Sequence, residues 1–445
     1  MWIGAADGQK GDPASGTHPR YTWSSAVTVC PVFCSLPDGS TAPIHDFNFG
    51  QRPFAFPPPE GFGPICGSTI PVPVAVRPES YVGITTYYGN ATAGRIAYTD
   101  INADLVWIKR RDTKSGGSSW VVNDTVRGAS KAIYCNSTSA EYTDTSDMTA
   151  FRTDGIVLGD SYQTNSNNTN YVVYSWVGGG SAGTFNIDDV AYATAAAASM
   201  DVGDLTVTGC SVGTRSKFSI VKYTGNGSND QTVAHGLGVI PSFVIVKDLD
   251  NTMDWVVKHR NLTSKDILYL NSDSAEDPGT GSNNGIIDDL SSTTTINFTN
   301  GGSGNMNMTN KSSTDYIMYA WANVPGLQKF GIYTGDHNSY PFVYLGFKPA
   351  LVVIKRIDSS NNWNVQDYRR TTYNGEATTS LQWDNNNSEA TIGSGYQRDQ
   401  LSNGFRIRNS GTETNGSGGS YVYMAWAKEA AYNLYGAAAT SRGEV

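Results

Sequence analysis

Charge is scarce in this chain. Asp, Glu, Lys and Arg make up 16% of its 445 residues, well below the quarter or so usual in globular proteins. The basic residues form no cluster, and the net charge is −9 with a sequence pI of about 5.1. Nucleic acid is therefore excluded as a partner, because phosphate contacts demand grouped Lys and Arg. Long apolar runs are also missing: no segment reaches the length of about 18 residues that a spanning helix needs, so no membrane insertion is expected. The opening "MWIGAADGQKG" lacks the charged-then-apolar order of a signal peptide, which implies synthesis in a cytoplasm without cleaved-signal export. Cysteine is sparse and odd in number: Cys30, Cys34, Cys66, Cys135 and Cys210 build no disulfide framework. Cys30 and Cys34 in "CPVFCS" have no histidine at finger spacing, since His18 and His45 are the nearest, so small-residue packing is expected rather than zinc. "DGSTAPIHD" and the other Asp-rich turns contain no twelve-residue calcium loop. No metal and no cofactor are expected.

What the chain has instead is turn formers and aromatics. Glycine occurs 48 times and aromatic residues make up 11% of the chain. Asn, Ser and Thr are abundant between short runs of Val, Ile, Tyr and Trp, which suits antiparallel strands better than helices. One helix is expected, in the alanine-rich stretch from Asp188, as its N-cap, to about Met200.

One phrase is written three times. Apolar strands close on Lys109 in "ADLVWIKRRD", Lys247 in "PSFVIVKDLD" and Lys355 in "PALVVIKRID". A tryptophan follows each after a polar turn: Trp120, Trp255 and Trp363. Upstream stands an aromatic-Gly element, "YYGN" at Tyr87, "YTGN" at Tyr223 and "YTGD" at Tyr333; downstream stands a closing strand ending in Trp176, Trp321 or Trp426. Landmarks recurring in one order define an internal repeat. Copies two and three share Leu-Gly-x-x-Pro before the lysine strand (Leu237, Gly238, Pro241; Leu345, Gly346, Pro349). In copy one Asp100 and Ala103 hold the places of the glycine and proline, so this first turn reads as drifted.

The Lys-to-Trp connections read as hairpin loops. A copy of about a hundred residues is the size of one antiparallel sandwich or jelly roll. The expected fold class is all-β: three tandem antiparallel β-sandwich repeats behind an extended Pro-rich N-terminal arm. The boundaries are an anchoring arm at 1–80, repeats at 81–177, 217–325 and 327–430, a Gly-rich linker with the short helix at 178–216, and a tail at 431–445. The glycines at 178–180 read as a flexible joint.

"FGQRPFAFPPPEGF" (49–62), a cysteine, a Pro-rich link, "YYGN", "HGLGVIPSFVIVK", a Trp strand and "YAW" together resemble a family of tail-fibre-like and other virion structural proteins of tailed bacteriophages, marine and cyanobacterial ones especially. The resemblance covers residues 46 to 428. It implies a virion location, contacts with other virion proteins through the N-terminal arm, homotrimeric assembly, and attachment to a host glycan or surface protein. In that family "FGQRPFA" often closes an upstream concanavalin-type sandwich; only some fifty residues precede it here, so residues 1–80 read as its remnant. The family brings no catalytic residues.

Other readings compete. Trp120, Trp176, Trp255, Trp321, Trp363 and Trp426 would suit sugar-stacking platforms, but recurrence and alternation with aliphatics favour the core. "SYQTNSNNTNY" (161–171) and "QWDNNNSEA" (382–390) are receptor-contact candidates against the plainer reading of solvated loops. A depolymerase would need two carboxylates; Asp288 and Asp289 are adjacent acids that nothing singles out as a pair. His235 sits in the repeated turn and has Val343 as its counterpart, which reads as structural. The Asn-x-Ser/Thr triplets at Asn90, Asn123, Asn136 and Asn261 follow from composition. The expected function is a non-enzymatic virion protein with three modules projecting outward, a fibre or adhesin; the alternative is a decoration or stapling protein without a receptor.

Overall fold

A strand that reads Leu-Val-Trp-Ile-Lys or Phe-Val-Ile-Val-Lys has no polar face, so it needs cover on both sides. The structure, a computed structural model that describes residues 76–430 apart from 113–116, 280–284, 301–305, 371–377 and 393–396, supplies that cover by closing three modules on one core. The described part is almost wholly antiparallel β. In each module an opening strand (Val82–Tyr88, Phe218–Thr224, Gln328–Thr334) and a lysine strand (Leu105–Arg110, Phe243–Asp248, Phe347–Arg356) flank a closing strand (Asn170–Trp176, Asp315–Trp321, Ser420–Ala430). The strand after the tryptophan turn (Val121–Asp124, Val256–His259, Asn364–Asp367) continues this large sheet. A three-stranded sheet covers the large sheet's outer face, led by Arg95–Tyr98, Gln231–Ala234 or Phe342–Tyr344. The most N-terminal residues, with Cys30, Cys34, Cys66, the Pro-rich arm up to residue 75 and the tail 431–445, lie outside the described residues.

Alternation along the closing strand explains the layers. In the first module Tyr171 and Val173 enter the module's own core, while Val172, Tyr174 and Trp176 enter a core that takes residues from all three modules. Within it Trp176, Trp321 and Trp426 meet pairwise, with ring centroids at 6.2, 5.5 and 6.1 Å and interplanar angles of 69°, 65° and 74°. These edge-to-face contacts are the favoured aromatic geometry. The sandwiches are thus not separate bodies projecting outward. Each large sheet is buried by its own small sheet on one side and by its two neighbours on the other.

The aromatic-Gly element is half of a latch. Tyr87, Tyr223 and Tyr333 stack on Tyr171, Tyr316 and Tyr421 of the closing strands, with centroids 5.0, 5.2 and 5.1 Å apart. Their hydroxyls donate to the carbonyls of Thr164, Thr309 and Thr414. The next residue, Asn165, Asn310 or Asn415, accepts on Oδ1 from the amide of Asn90, Asn226 or Asp336 at 3.0, 2.8 and 2.8 Å. Glycine is required between these partners: a Cβ on Gly89, Gly225 or Gly335 would stand 2.2, 2.3 or 2.4 Å from a backbone oxygen. The Thr-Asn pair, with its Asn six residues before the closing-strand tyrosine in every copy, is a further repeat landmark. It also accounts for much of "SYQTNSNNTNY": Thr164 and Asn165 are buried in the latch, and Gln163 and Thr169 are buried beside it, rather than solvated or receptor-facing.

The structure corrects three local expectations. Gly178 to Gly180 are no flexible joint; they are buried, and the amides of Gly178 and Gly180 bind Asp104 Oδ2 at 2.8 and 3.1 Å while Gly179 binds Ser211 Oγ. The alanine-rich helix is absent. Asp188 and Asp189 have φ of 48° and 66° and form the two-residue turn of a hairpin between Phe185–Ile187 and Val190–Tyr192, which left-handed Asp favours. The alanines then make isolated turns that Ser199 ends at φ 54°. The first turn before the lysine strand has kept its backbone despite its sequence: Asp100 has φ 60° where Gly238 and Gly346 have 68° and 83°. Pro349 falls, as strand-mouth prolines do, at a register shift between the lysine and closing strands.

A shared core predicts shared unfolding. Trp321→Ala should cost about 3–5 kcal/mol and move one cooperative calorimetric transition as a whole. Separate transitions, with two modules melting at the unmutated temperature, would show that the modules fold independently.

Candidate functional site

Each module reaches its neighbour through the same positions. Asp124, His259 and Asp367 stand four residues after Trp120, Trp255 and Trp363, and Arg127, Leu262 and Arg370 three residues later. Tyr319 of the second module donates to Asp124 Oδ2 at 2.7 Å, and Arg127 Nε donates to the same carboxylate at 2.6 Å. Tyr174 of the first module donates to Asp367 at 2.7 Å beside Arg370 in the third. Both arginine side chains are buried and also reach a second acid, Glu141 or Glu389, at 3.3 Å. Burial opposes the Arg127 charge, but Asp124, Tyr319 and Glu141 outweigh it and raise its pKa beyond the ordinary guanidinium value. The remaining joint is apolar: Met424 holds the tyrosine's place, Leu262 the arginine's, and both lie in the shared core. His259, beside the backbone of Tyr423, stands for the aspartate, and burial pulls its pKa to about 3.

The repeated lysines and tryptophans close the same seams. The indole Nε1 of Trp120 donates to Gln382 O at 2.7 Å, that of Trp255 to Tyr134 O at 3.0 Å, and that of Trp363 to Tyr269 O at 3.0 Å, always in the neighbouring module. Lys109 Nζ reaches Ser118 O at 2.7 Å and Asn386 O at 3.3 Å; Lys247 reaches Asp248 O at 2.8 Å and Thr138 O at 3.2 Å; Lys355 reaches Arg356 O at 2.6 Å and Asp273 O at 3.2 Å. Each lysine therefore ties its own strand end to the next module's loop. "QWDNNNSEA" belongs here: Gln382 and Asn386 accept these donors, Trp383 is core, and Glu389 pairs with Arg111 at 2.6 Å. It is a joint between modules rather than a free receptor loop.

The seam between the first and third modules, which no linker spans, holds a cavity of about 330 Å³, near the small end of ligand sites. Glu79 and Glu429, close to both ends of the described chain, line it with Ile84, Asp100, Tyr368 and Arg369. Arg369 and Lys428 lie 5.1 and 4.8 Å from the Tyr368 ring centroid, so cations already occupy the aromatic surface that a sugar would stack on. Arg369 Nε also donates to Ile84 O at 3.2 Å. The cavity is lined by acids and bases together.

The other candidates fall apart from this seam. Asp289 binds Lys258 at 2.9 Å and the Ser264 hydroxyl at 2.6 Å, while Asp288 binds the Asp289 amide. His235 is buried, accepts the Leu237 amide on Nδ1 at 3.1 Å, and has its pKa pulled to about 4 by burial. Asn123 is buried inside its strand, and Asn136 accepts the Trp120 amide at 2.8 Å. Cys135 and Cys210 are free and buried. Among the described residues no group of three or more His, Cys, Asp or Glu is placed to hold a metal.

Two measurements test the joints. Tyr319→Phe removes a donor from a buried carboxylate and should cost about 1.5–3 kcal/mol, against less than about 1.5 kcal/mol for Met424→Leu in the apolar joint; equal costs would discount the Tyr–Asp–Arg contact. The lysines set a pH dependence. Burial lowers Lys109 to about 7 and Lys247 and Lys355 to about 8, from 10.5. Above those values the unfolded chain holds protons that the folded one releases, so stability rises with pH from there towards 9. Beyond 9 the thiols, which burial pushes up to about 11 in the case of Cys210, work the other way. Urea midpoints should climb through that lower window, and Lys247→Met should flatten the slope; an unchanged slope in the variant would assign the pH dependence elsewhere.

No curated protein and no solved structure matches the chain. A family model described as a domain of unknown function (DUF7483) matches residues 77–430. That span contains all three modules and their seams, so the chain belongs to this family, and the family's domain in this chain is the closed threefold unit.

Proposed function

We propose that the chain is a non-enzymatic structural protein of a bacteriophage particle, and that its threefold unit is an attachment head that meets the host surface. The observation that carries this reading is the mutual contact of Trp176, Trp321 and Trp426, which makes three modules one body with threefold geometry. Several strongly perturbed side chains, Lys109, Arg127, Tyr174, Tyr319 and Arg370, are spent on joining modules. A rigid body of this kind offers three sets of loops at the latch ends of the closing strands. Three weak contacts then combine into firm attachment without a deep pocket. Because one chain supplies all three modules, one copy fills a threefold position on the particle; assembly in threes, as the resemblance implies, would multiply the contacts further.

A second reading, stapling of virion neighbours, draws on the seam cavity. Both ends of the described chain line it through Glu79 and Glu429, which suits a protein that holds others together.

Cryo-electron microscopy of intact particles separates the two. Density for this chain at the tail, with the latch loops pointing outward, is the expected result, and substitutions in those loops should then reduce adsorption. Chains bridging capsomers or lining the tube would replace attachment by stapling. Deleting residues 1–80 should abolish incorporation into particles in either case.

A further inference from the structure

The opening strand of each module has one edge on its closing strand and a second edge whose fate differs in the three modules. In the second module the linker strand Thr206–Gly213 covers it, paired antiparallel from Thr206 opposite Thr224 to Gly213 opposite Phe218. Just before it, Leu205 donates its amide to Thr232 O at 2.9 Å, and Met200 and Leu205 join the core that contains Ala234. In the first module the edge faces the seam, where Arg369 caps Ile84 O at 3.2 Å. Arg369 holds the place that Val126 takes beneath Gly209 of the linker strand in the neighbouring seam. In the third module no strand among the described residues covers the edge. The amides of Gln328 and Phe330 turn outward to Val324 O and Asn323 Oδ1. The same parity turns those of Ile332 and Thr334 outward, and among the described residues nothing accepts them.

Large apolar side chains collect beside that edge. Of the nine exposed large hydrophobics among the described residues, Ile332, Tyr340, Phe342 and Tyr344 lie here, at 44%, 47%, 45% and 52% exposure. Strand pairing, unlike counting back from the lysines, which sets Val343 against His235, aligns Val343, opposite Phe405, with Val233, opposite Ile296. Tyr344 therefore stands where the second module has Ala234, which is 1% exposed beneath the linker. Among the described residues the same flank is small and covered in the second module, and large, aromatic and uncovered in the third. Lys329 lies 5.4 Å from the Tyr344 ring centroid, and the exposed Arg406 donates to Tyr340 O at 3.2 Å.

We propose that this flank is a docking edge for an extended strand of a partner protein, added antiparallel to Gln328–Thr334 as the linker strand is added in the second module. Outward amides and alternating side-chain positions are the means by which sheets accept a foreign strand. The occupant has apolar side chains at alternate positions, to pack on Phe342 and Tyr344, and an acidic residue for Lys329 and Arg406. A second copy of the chain suits the edge less, because each carries a net charge of −9.

The probe is a displayed library of short linear peptides, selected on the full chain and followed by amide exchange. In the free chain Ile332 and Thr334 should exchange rapidly, and a selected peptide should slow both. Its affinity should fall about tenfold or more in Ile332→Pro, which an edge strand tolerates on its outward side, and in Tyr344→Ser, with both variants melting normally. Protection of these amides before any peptide is added would mean that the chain covers its own edge and would overturn the proposal. So would peptides that bind both variants unchanged. Glycan binding lost in Tyr344→Ser, with no peptide protecting the amides, would make the patch a sugar platform instead.

Discussion

The structure depends on large sheets that are apolar on both faces. A sheet of that kind cannot stop at one sandwich, because its inner face would remain in water. Three such sheets, each backed by its own small sheet, bury that face against one another, and the contact of Trp176, Trp321 and Trp426 is where they meet. Other repeated features follow from this closure. Strand ends brought against a neighbour need donors for that neighbour's carbonyls, and a lysine on a long stem or an indole N–H supplies them from within the packed layer. A module excised from the chain would expose the tryptophan, the lysine and the inner sheet face together.

Closure is threefold in position but not in chemistry. Two joints use a buried Tyr–Asp–Arg contact, and the third replaces every member, with Met424, His259 and Leu262 in the corresponding places. Exchanging one member alone would leave a buried charge without its partner, which costs far more than exchanging the whole set for apolar groups. The joints are therefore units that change together. The second edges of the three opening strands diverge in the same way: one is covered by the linker, one is capped by Arg369, and one has no covering strand among the described residues. In a repeat protein such differences are where a module departs from its siblings for reasons other than holding the core.

Much of this was legible in the sequence, within physical limits. Strand type, repeat number and the core role of the tryptophans follow from side-chain period and recurrence, which are local. The closing of the modules on one another was in principle visible as well, since "LVWIK", "FVIVK" and "LVVIK" lack the alternation of a sheet with one wet face. Reading them only as sandwich strands led to modules that projected outward. The latch was missed because Thr-Asn is an ordinary pair in a chain rich in both, and only its constant spacing from the closing-strand tyrosine marks it. The helix is absent because Asp188 and Asp189 make a hairpin turn rather than an N-cap, and the strand that follows them runs up to the alanines. The loops "SYQTNSNNTNY" and "QWDNNNSEA" were misjudged for a different reason: polar side chains in a β protein are as often used to satisfy buried backbone as to face solvent, and composition cannot tell the two apart.

The same accounting bears on function. Side chains whose protonation is most disturbed mark active sites only when structure has no other use for them. In this chain the structural use is explicit for Lys109, Lys247 and Lys355, each hydrogen-bonded to carbonyls of its own and the adjacent module. A threefold body held this way is stiff, and stiffness is what surface contact needs: loops ordered in advance lose little entropy on binding. What remains free to vary is the periphery, where the first and third modules have the exposed Tyr98 and Tyr344 and the second module has a covered alanine. Beside Tyr344 the outward amides of Ile332 and Thr334 and the exposed aromatic side chains come together, the combination from which an added strand gains most.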